Sequence, residues 1–115
     1  MHPSGFEQWV ANRFVNAGYS ANVTGGAGDD GIDIIVRHGN QIRYVVQCKR
    51  FGSNTVVTPE QVRDFRGAMT AHPEAAGYIV TTGSLSAQAA TWVQKQPITI
   101  IDWRIIERWK PEPPA

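Results

Sequence analysis

Two runs rich in β-branched residues, separated by a short polar gap, constrain the fold of this chain more than any other feature. The runs extend from Ile32 to Arg37 and from Ile42 to Lys49, and the gap contains Gly39 and Asn40. β-Branched residues favour strands, and glycine next to asparagine favours a tight turn, so this pattern predicts a β-hairpin. Any fold for the chain must therefore contain this antiparallel pair of strands.

The rest of the chain alternates between helical and strand patterns. The capping-box spacing of Ser4 and Glu7 and the stop at Gly18 predict a first helix from about Ser4 to Ala17, followed by a short strand to Thr24. Later patterns predict a helix from Thr58 to about Thr70, a strand over 77–81, a helix from Ser84 or Ser86 to Gln94, a strand over 98–102 and a short helix over 103–109. The order αβββαβαβα indicates an α/β domain whose mixed sheet has helices on both faces.

Length and composition fit one globular domain. The chain has 115 residues, of which 42% are hydrophobic and 18% are charged. We assign residues 1–110 to the domain and interpret the proline-rich residues 111–115 as a tail or the start of a linker. The single cysteine excludes an internal disulfide framework and a cysteine-rich zinc site, and it fits a cytoplasmic location.

Charge and hydropathy narrow the classes of partner. The longest apolar runs fall short of the roughly 20 residues that span a bilayer, so we expect no membrane partner. The formal net charge is only +1. Any contact with DNA must therefore come from a local patch rather than from the field of the whole domain.

The predicted hairpin carries three side chains that suit phosphodiester hydrolysis. Asp33 lies on the first strand, and Gln47 and Lys49 lie two residues apart on the second, where they share one face. This reaction needs a divalent cation and an activated water, and Mg²⁺ prefers carboxylates and other oxygen ligands. Lys49 ends an apolar run in which only function calls for an ammonium group. Without that function it would be a lysine extending to the edge of the sheet.

The register of the hairpin decides whether these residues meet. A two-residue turn at Gly39 and Asn40, continued without interruption, would put Asp33 opposite Val46 and send its side chain to the wrong face. A three-residue loop, or an equivalent bulge, puts Asp33 opposite Gln47. The nuclease hypothesis therefore predicts the second register.

Two segments of the sequence closely resemble the catalytic domain of the Mrr-like restriction endonucleases. They are Gly26-Ala27-Gly28-Asp29-Asp30-Gly31-Ile32-Asp33 and Val46-Gln47-Cys48-Lys49-Arg50, and the resemblance extends to Phe6-Glu7 and to the run from Gly77 to Gly83. This family is a branch of the PD-(D/E)xK superfamily in which glutamine replaces the usual acidic residue. The resemblance covers nearly the whole chain. It implies a restriction-endonuclease-like core and a Mg²⁺-dependent endodeoxyribonuclease in which Mn²⁺ can substitute.

The resemblance also implies a role for each site residue. Asp33 would be the principal metal ligand and the side-chain oxygen of Gln47 a second, neutral one. The backbone carbonyl of Cys48 would assist, and Glu7 would reach in from the first helix, directly or through water. Lys49 would orient or help deprotonate the attacking water and stabilise the developing charge. Because glutamine carries no charge, we expect weaker ion binding than in the usual version of the site.

Several residues have two interpretations. Glu7 is the N3 member of the predicted capping box, whether or not it also binds metal. Thr82 and Ser84 join a strand to a helix start, where they would hold a phosphate or simply cap the helix. Arg50 directly follows Lys49 and is the strongest candidate for a contact with the DNA backbone.

The function predicted from the sequence is hydrolysis of DNA phosphodiesters in the restriction of foreign or modified DNA. One site cuts one strand, so double-strand cleavage would need a homodimer or a second encounter. The sequence contains no base-reading module, so a separate recognition domain or subunit would choose the target. Two alternatives remain: a repair or junction-processing nuclease, and a catalytically silent DNA-binding module. A nucleotide-binding domain is disfavoured because the glycine-rich loop leads into a strand and not into a helix.

Overall fold

The computed structural model describes residues 3–24, 31–50 and 56–115. In these ranges the helices are α1 (Pro3–Ala17), α2 (Pro59–Ala68) and α3 (Ala87–Val93), and a 3-10 helix (Met69–Ala71) continues α2. The strands are β1 (Ser20–Val23), β2 (Ile34–His38), β3 (Gln41–Lys49), β4 (Val56–Val57), β5 (Ala76–Thr81), β6 (Ser84–Leu85) and β7 (Ile98–Ile101). Each strand and helix predicted before residue 102 is present, and β4 and β6 are additional.

One five-stranded mixed sheet organises the molecule. Its strand order is β1-β2-β3-β5-β7. The pairs β1–β2 and β2–β3 are antiparallel, whereas β3–β5 and β5–β7 are parallel. The short strands β4 and β6 form a separate parallel pair. Because β3, β5 and β7 run in the same direction, their carboxyl ends lie together at one edge of the sheet, and Lys49 is the last residue of β3.

Helices cover both faces of the sheet, as predicted. On one face α1 packs with the carboxyl-terminal segment, and its buried core includes Phe14, Val46 and Trp109. On the other face α2 and α3 pack over a core that includes Phe65 and Val45. The neighbouring residues Val45 and Val46 thus point to opposite faces. The alternation of a strand then puts Gln47 and Lys49 on the α2–α3 side and Cys48 on the α1 side.

The hairpin between β2 and β3 combines a two-residue turn with a bulge. His38 pairs with Gln41 across a turn in which Gly39 has a φ of +63°. The register then shifts between Val36 and Arg37, because Arg43 is an extra residue on β3, and from there Ile34 lies opposite Val46. This places Asp33 at the level of Gln47, so the register that the nuclease hypothesis requires is confirmed. Without the bulge, the two-residue turn would have placed Asp33 opposite Val46, with its side chain on the wrong face of the sheet.

The predicted helix over residues 103–109 is wrong, because the structure has turns over 103–108. The hydrogen bonds of the segment show the difference. The Asp102 carboxylate accepts the N–H of Arg104, and its carbonyl accepts the N–H groups of Ile105 and Ile106, as at a helix start. The next bond, from the N–H of Arg108 to the carbonyl of Ile105, spans only three residues. The described bonds therefore form successive turns, and the four-residue spacing of an α-helix does not continue beyond Ile106.

The predicted capping role of Ser4 is also wrong. The first helix begins at Pro3, so Ser4 lies inside it and does not precede it. Glu7 is correspondingly deeper in the helix than the N3 position, because the first turn starts earlier than the capping-box pattern suggested. The capping interpretation of Glu7 therefore loses its geometric basis.

The proline-rich end of the chain lies against the domain. Pro111 is buried, and the hydroxyl of Tyr19 donates to the carbonyl of Glu112 at 2.9 Å. Pro114 approaches Gly18, where a Cβ atom would lie 3.2 Å from the Pro114 Cδ. The described helices include none that is both long and apolar enough to cross a membrane.

Helix α2 has a complete capping box, which gives a test of its stability. The hydroxyl of Thr58 accepts the N–H of Gln61 at 3.2 Å, and the Gln61 side chain accepts the N–H of Thr58 at 3.0 Å. We expect Thr58→Ala to lower the free energy of unfolding by about 1 kcal/mol, since the N–H of Gln61 loses the hydroxyl that accepts it. Urea denaturation measures this, with Thr91→Ala, at an exposed position of α3, as the control. Equal losses in both variants would contradict the capping role.

Candidate active site

Asp33 is fixed by backbone bonds to both neighbouring strands. Its N–H donates to the carbonyl of Val46 at 2.8 Å, and its carbonyl accepts the N–H of Thr24 at 2.8 Å. Its side-chain Oδ2 accepts the N–H of Cys48 at 2.8 Å. The carboxylate is therefore held against the end of β3, beside Gln47 and Lys49.

The environment of Asp33 opposes its ionisation. Burial raises the pKa of the Asp33 carboxyl, while the hydrogen bond from Cys48 and the charge of Lys49 lower it, and the net direction is upward. A charged carboxylate here is thus costly without a further positive partner. That is the electrostatic character expected of a cation ligand.

Gln47 is a buried amide with one unsatisfied end. Its side chain is only 6% exposed. Among the residues that the structure describes, none donates a hydrogen bond to Gln47 Oε1. A buried carbonyl oxygen without a partner costs about 1–3 kcal/mol. Such an atom is well suited to a ligand that supplies positive charge.

Lys49 occupies the carboxyl edge of the sheet and is partly exposed. It pairs with Thr81 of β5, and its carbonyl accepts the N–H of Thr82 at 3.1 Å. Its charge acts on Asp33, as the pKa of that carboxyl shows. The ammonium group and the carboxylate therefore belong to one site that opens at the sheet edge.

Glu7 approaches the same site from α1. Burial raises the pKa of Glu7, and the negative charge of Asp33 raises it further. The pKa of the Cys48 thiol also lies well above its ordinary value, because of burial first and then the charges of Asp33 and Glu7. Asp33 thus interacts electrostatically with Glu7, which comes from the α1 side of the sheet, and with Lys49, which faces α2 and α3.

The predicted DNA contacts separate into two groups. Arg50 is exposed directly after Lys49, and Thr82 is bonded through its N–H to the Lys49 carbonyl, so both lie beside the site. Ser84 instead belongs to β6, where it pairs with Val56. Ser86 is the residue that caps α3, through a bond from the N–H of Ala89 to its hydroxyl. The prediction that Ser84 stands at a helix start is therefore wrong.

Two residues near the site were not singled out by sequence analysis. Asp102 follows β7 at the same edge, and its buried carboxylate binds the exposed Arg104 guanidinium at 2.8 Å. Burial would raise the pKa of Asp102, but the hydrogen bonds and charge of Arg104 bring it below its ordinary value. This carboxylate is already paired, so it has a structural role. Gly31, which was treated as one glycine of a loop, lies against the Gln47 amide.

The oxygen atoms of the site fit a hard divalent cation. The described residues contain no group of three His, Cys, Asp or Glu side chains placed to hold a metal. A cation would therefore depend on neutral oxygens in addition to Asp33 and Glu7, and the unpaired Gln47 Oε1 is such an atom. Carboxylate and amide oxygens are ligands that Mg²⁺ accepts while it keeps several waters.

The contribution of Glu7 can be measured. Glu7→Gln keeps the shape of the side chain and removes a carboxylate whose pKa is raised by the charge of Asp33. We expect Mn²⁺ affinity to fall about 10-fold, as it does when groups that support a metal site are removed. Isothermal titration calorimetry measures this, with Glu74→Gln, at an exposed position between the 3-10 helix and β5, as the control. Unchanged Mn²⁺ affinity in Glu7→Gln would limit Glu7 to a structural role.

Comparison with known proteins adds independent evidence on the family. The family model Mrr_cat, described as a restriction endonuclease, matches residues 1–109. None of the curated proteins matches the chain.

Solved structures show the same fold. The MspJI restriction endonuclease, in complex with a 27-mer oligonucleotide, has a TM-score of 0.65 and 23% identity, over 88% of this chain and 26% of that one. The DNA modification-dependent restriction endonuclease AspBHI has a TM-score of 0.68 and 18% identity, over 91% and 30%. AF1548, a protein of unknown function, has a TM-score of 0.72 and 15% identity, over 90% and 60%. The restriction-endonuclease-like core is thus confirmed, and the chain spans 26–60% of the length of these structures.

Proposed function

Because this chain belongs to the Mrr restriction endonuclease family, we propose that it is a metal-dependent DNA endonuclease domain. Its site would be formed by Asp33, Gln47 and Lys49, and Glu7 would support these three residues. The observation that carries the proposal is Gln47 Oε1, a buried oxygen to which none of the described residues donates a hydrogen bond. It lies two residues from Lys49, at the level of Asp33, in a register that depends on a bulge.

The proposed ligands of a Mg²⁺ or Mn²⁺ ion are the carboxylate of Asp33, Gln47 Oε1 and the backbone carbonyl of Cys48. Glu7 would act directly or through water. When bound, the ion supplies Lewis-acid stabilisation of the phosphate and lowers the pKa of a water molecule. The neutral Gln47 lowers the total negative charge of the ligand set, so we expect modest affinity for the ion.

Lys49 would orient the attacking water and supply positive charge at the sheet edge. Its ammonium group donates hydrogen bonds and cannot accept them, so it orients a water through the water's oxygen lone pairs. It also stabilises the negative charge that develops on the phosphate. Asp33 restrains it electrostatically from the neighbouring strand. We therefore assign Lys49 to the hydrolysis reaction and not to the stability of the fold.

We propose Arg50 and Thr82 as contacts that position the DNA backbone. Both lie at the end of β3 or immediately beside it. Contacts with phosphates hold a duplex in place but carry no sequence information. The chain matches only 30% of AspBHI, a modification-dependent enzyme. We therefore propose restriction of foreign or modified DNA as the role of the whole protein, with target choice in another domain or subunit, and a homodimer for double-strand cleavage.

Plasmid cleavage tests the proposed function. Supercoiled plasmid, methylated or unmethylated, is incubated with the chain and Mg²⁺, Mn²⁺ or EDTA. Nicking or linearisation that requires the ion supports the proposal. Binding of DNA without cleavage under every condition would favour the catalytically silent module, and cleavage confined to branched DNA would favour the junction-processing alternative.

A further inference from the structure

Of the glycines that the structure describes, Gly31 lies closest to the side-chain amide of Gln47. Its backbone has a φ of +73°, which side-chain-bearing residues rarely adopt. A Cβ atom at this position would lie 2.7 Å from Gln47 Nε2 and 3.8 Å from Gln47 Cδ. The first distance is shorter than any ordinary contact between these atoms. The nitrogen of the Gln47 amide therefore lies in the space that a side chain at position 31 would need.

The two ends of the Gln47 amide consequently meet different surroundings. Nε2 lies against Gly31, whereas Oε1 is buried and accepts no hydrogen bond from the described residues. The two ends are nearly equal in size and opposite in chemistry. The oxygen accepts hydrogen bonds or binds a cation, and the NH₂ group only donates. The orientation of this amide thus decides whether Gln47 is able to act as a metal ligand.

We propose that Gly31 is a positioning residue: because it has no side chain, the nitrogen end of the Gln47 amide fits beside it, and the amide is held where its oxygen is the end available to the metal site. A side chain at position 31 would press on the amide, and the amide is the part that gives way, because it is the end of a flexible side chain. The consequence for catalysis rests on the proposed function. The orientation itself does not depend on it.

Gly39 provides a matched control for the backbone requirement. Its φ of +63° is close to that of Gly31, so an alanine is strained at both positions. In the part of the chain that the structure describes, no atom lies within 4 Å of a Cβ atom built at Gly39. Gly31→Ala and Gly39→Ala therefore share the backbone strain, and only Gly31→Ala disturbs Gln47.

The experiment compares these two variants by three measurements. Thermal unfolding reports the shared strain, and we expect similar decreases in Tm. The side-chain amide signals of Gln47 in ¹⁵N-labelled protein, assigned with Gln47→Glu, report orientation. We expect them to shift in Gly31→Ala and to stay in place in Gly39→Ala. Calorimetric titration with Mn²⁺ is expected to give a Kd at least 10-fold higher for Gly31→Ala and unchanged for Gly39→Ala.

Each outcome bears on the inference. Gln47 amide signals that stay in place in Gly31→Ala, or that shift equally in both variants, would overturn it, and so would shifted signals with unchanged Mn²⁺ affinity. If Gly31→Ala does not fold, nuclear Overhauser contacts between Gly31 Hα and the Gln47 side-chain NH₂ in the unmodified chain decide the question, and their absence overturns the orientation. Failure of the unmodified chain to bind Mn²⁺ would count against the proposed function and leave the amide measurement valid.

Discussion

Lys49→Met is expected to reduce DNA cleavage at least about 10³-fold while the fold and DNA binding are retained. The ammonium group lies at the carboxyl edge of the sheet, where its charge acts on Asp33. Methionine keeps much of the unbranched side chain, so packing along β3 changes little, but the proton chemistry and the positive charge are lost. We expect a near-normal urea midpoint, because the residue is only partly buried.

The measurement for Lys49→Met is the single-turnover rate of plasmid nicking in Mn²⁺. DNA affinity is measured in parallel in Ca²⁺, which occupies many such sites with little turnover. Lys95→Met, at an exposed lysine after α3, is the matched control and is expected to cleave normally. A nicking rate for Lys49→Met within a few-fold of that of the unmodified chain would contradict the catalytic role. Lys49 would then be only a surface lysine that extends to the edge of the sheet.

Asp33→Asn is expected to abolish both Mn²⁺ binding and cleavage, and to leave the protein at least as stable as before. An asparagine side chain can still accept the N–H of Cys48, so the hairpin end keeps its bond. Burial raises the pKa of Asp33 above its unfolded value, so the ionised carboxylate costs stability at neutral pH. Removing the charge removes that cost together with the principal ligand.

Urea denaturation without metal, Mn²⁺ titration and the nicking assay together test Asp33→Asn. Asp64→Asn, at an exposed position of α2, is the control and should change none of the three. The expected result separates function from stability, since a residue kept only for the fold would lower the unfolding free energy when changed. Retained Mn²⁺ affinity in Asp33→Asn would show that the ion binds elsewhere.

The sequence predicted the central hairpin and the pairing of its functional residues because both depend on short-range patterns. Alternation along β3 placed Gln47 and Lys49 on one face, and the need to bring Asp33 opposite Gln47 predicted the register. The sequence left open whether a three-residue loop or a bulge produces this register. Arg43 supplies the bulge, and no local pattern distinguishes that arginine from an ordinary strand residue.

The errors arose where the outcome depends on bonds that exist only in the folded chain. The pattern over residues 103–109 is compatible with a helix, but after the bond from Ile106 to Asp102 the described backbone bonds have the three-residue spacing of turns. The N–H of Trp103 donates to the carbonyl of Gly83, which is distant in sequence and becomes a neighbour only through the sheet. The contact between Gly31 and Gln47 was missed for the same reason, because φ and the close approach exist only after the strands have paired.

Anomalous diffraction from crystals of the chain soaked in Mn²⁺ tests whether Asp33 and Gln47 bind a metal ion together. We expect a manganese peak bounded by the Asp33 carboxylate, Gln47 Oε1 and the carbonyl of Cys48, and no such peak in Asp33→Asn crystals grown the same way. A peak at another position, or a Gln47 oxygen that is hydrogen-bonded to protein in crystals saturated with Mn²⁺, would contradict it.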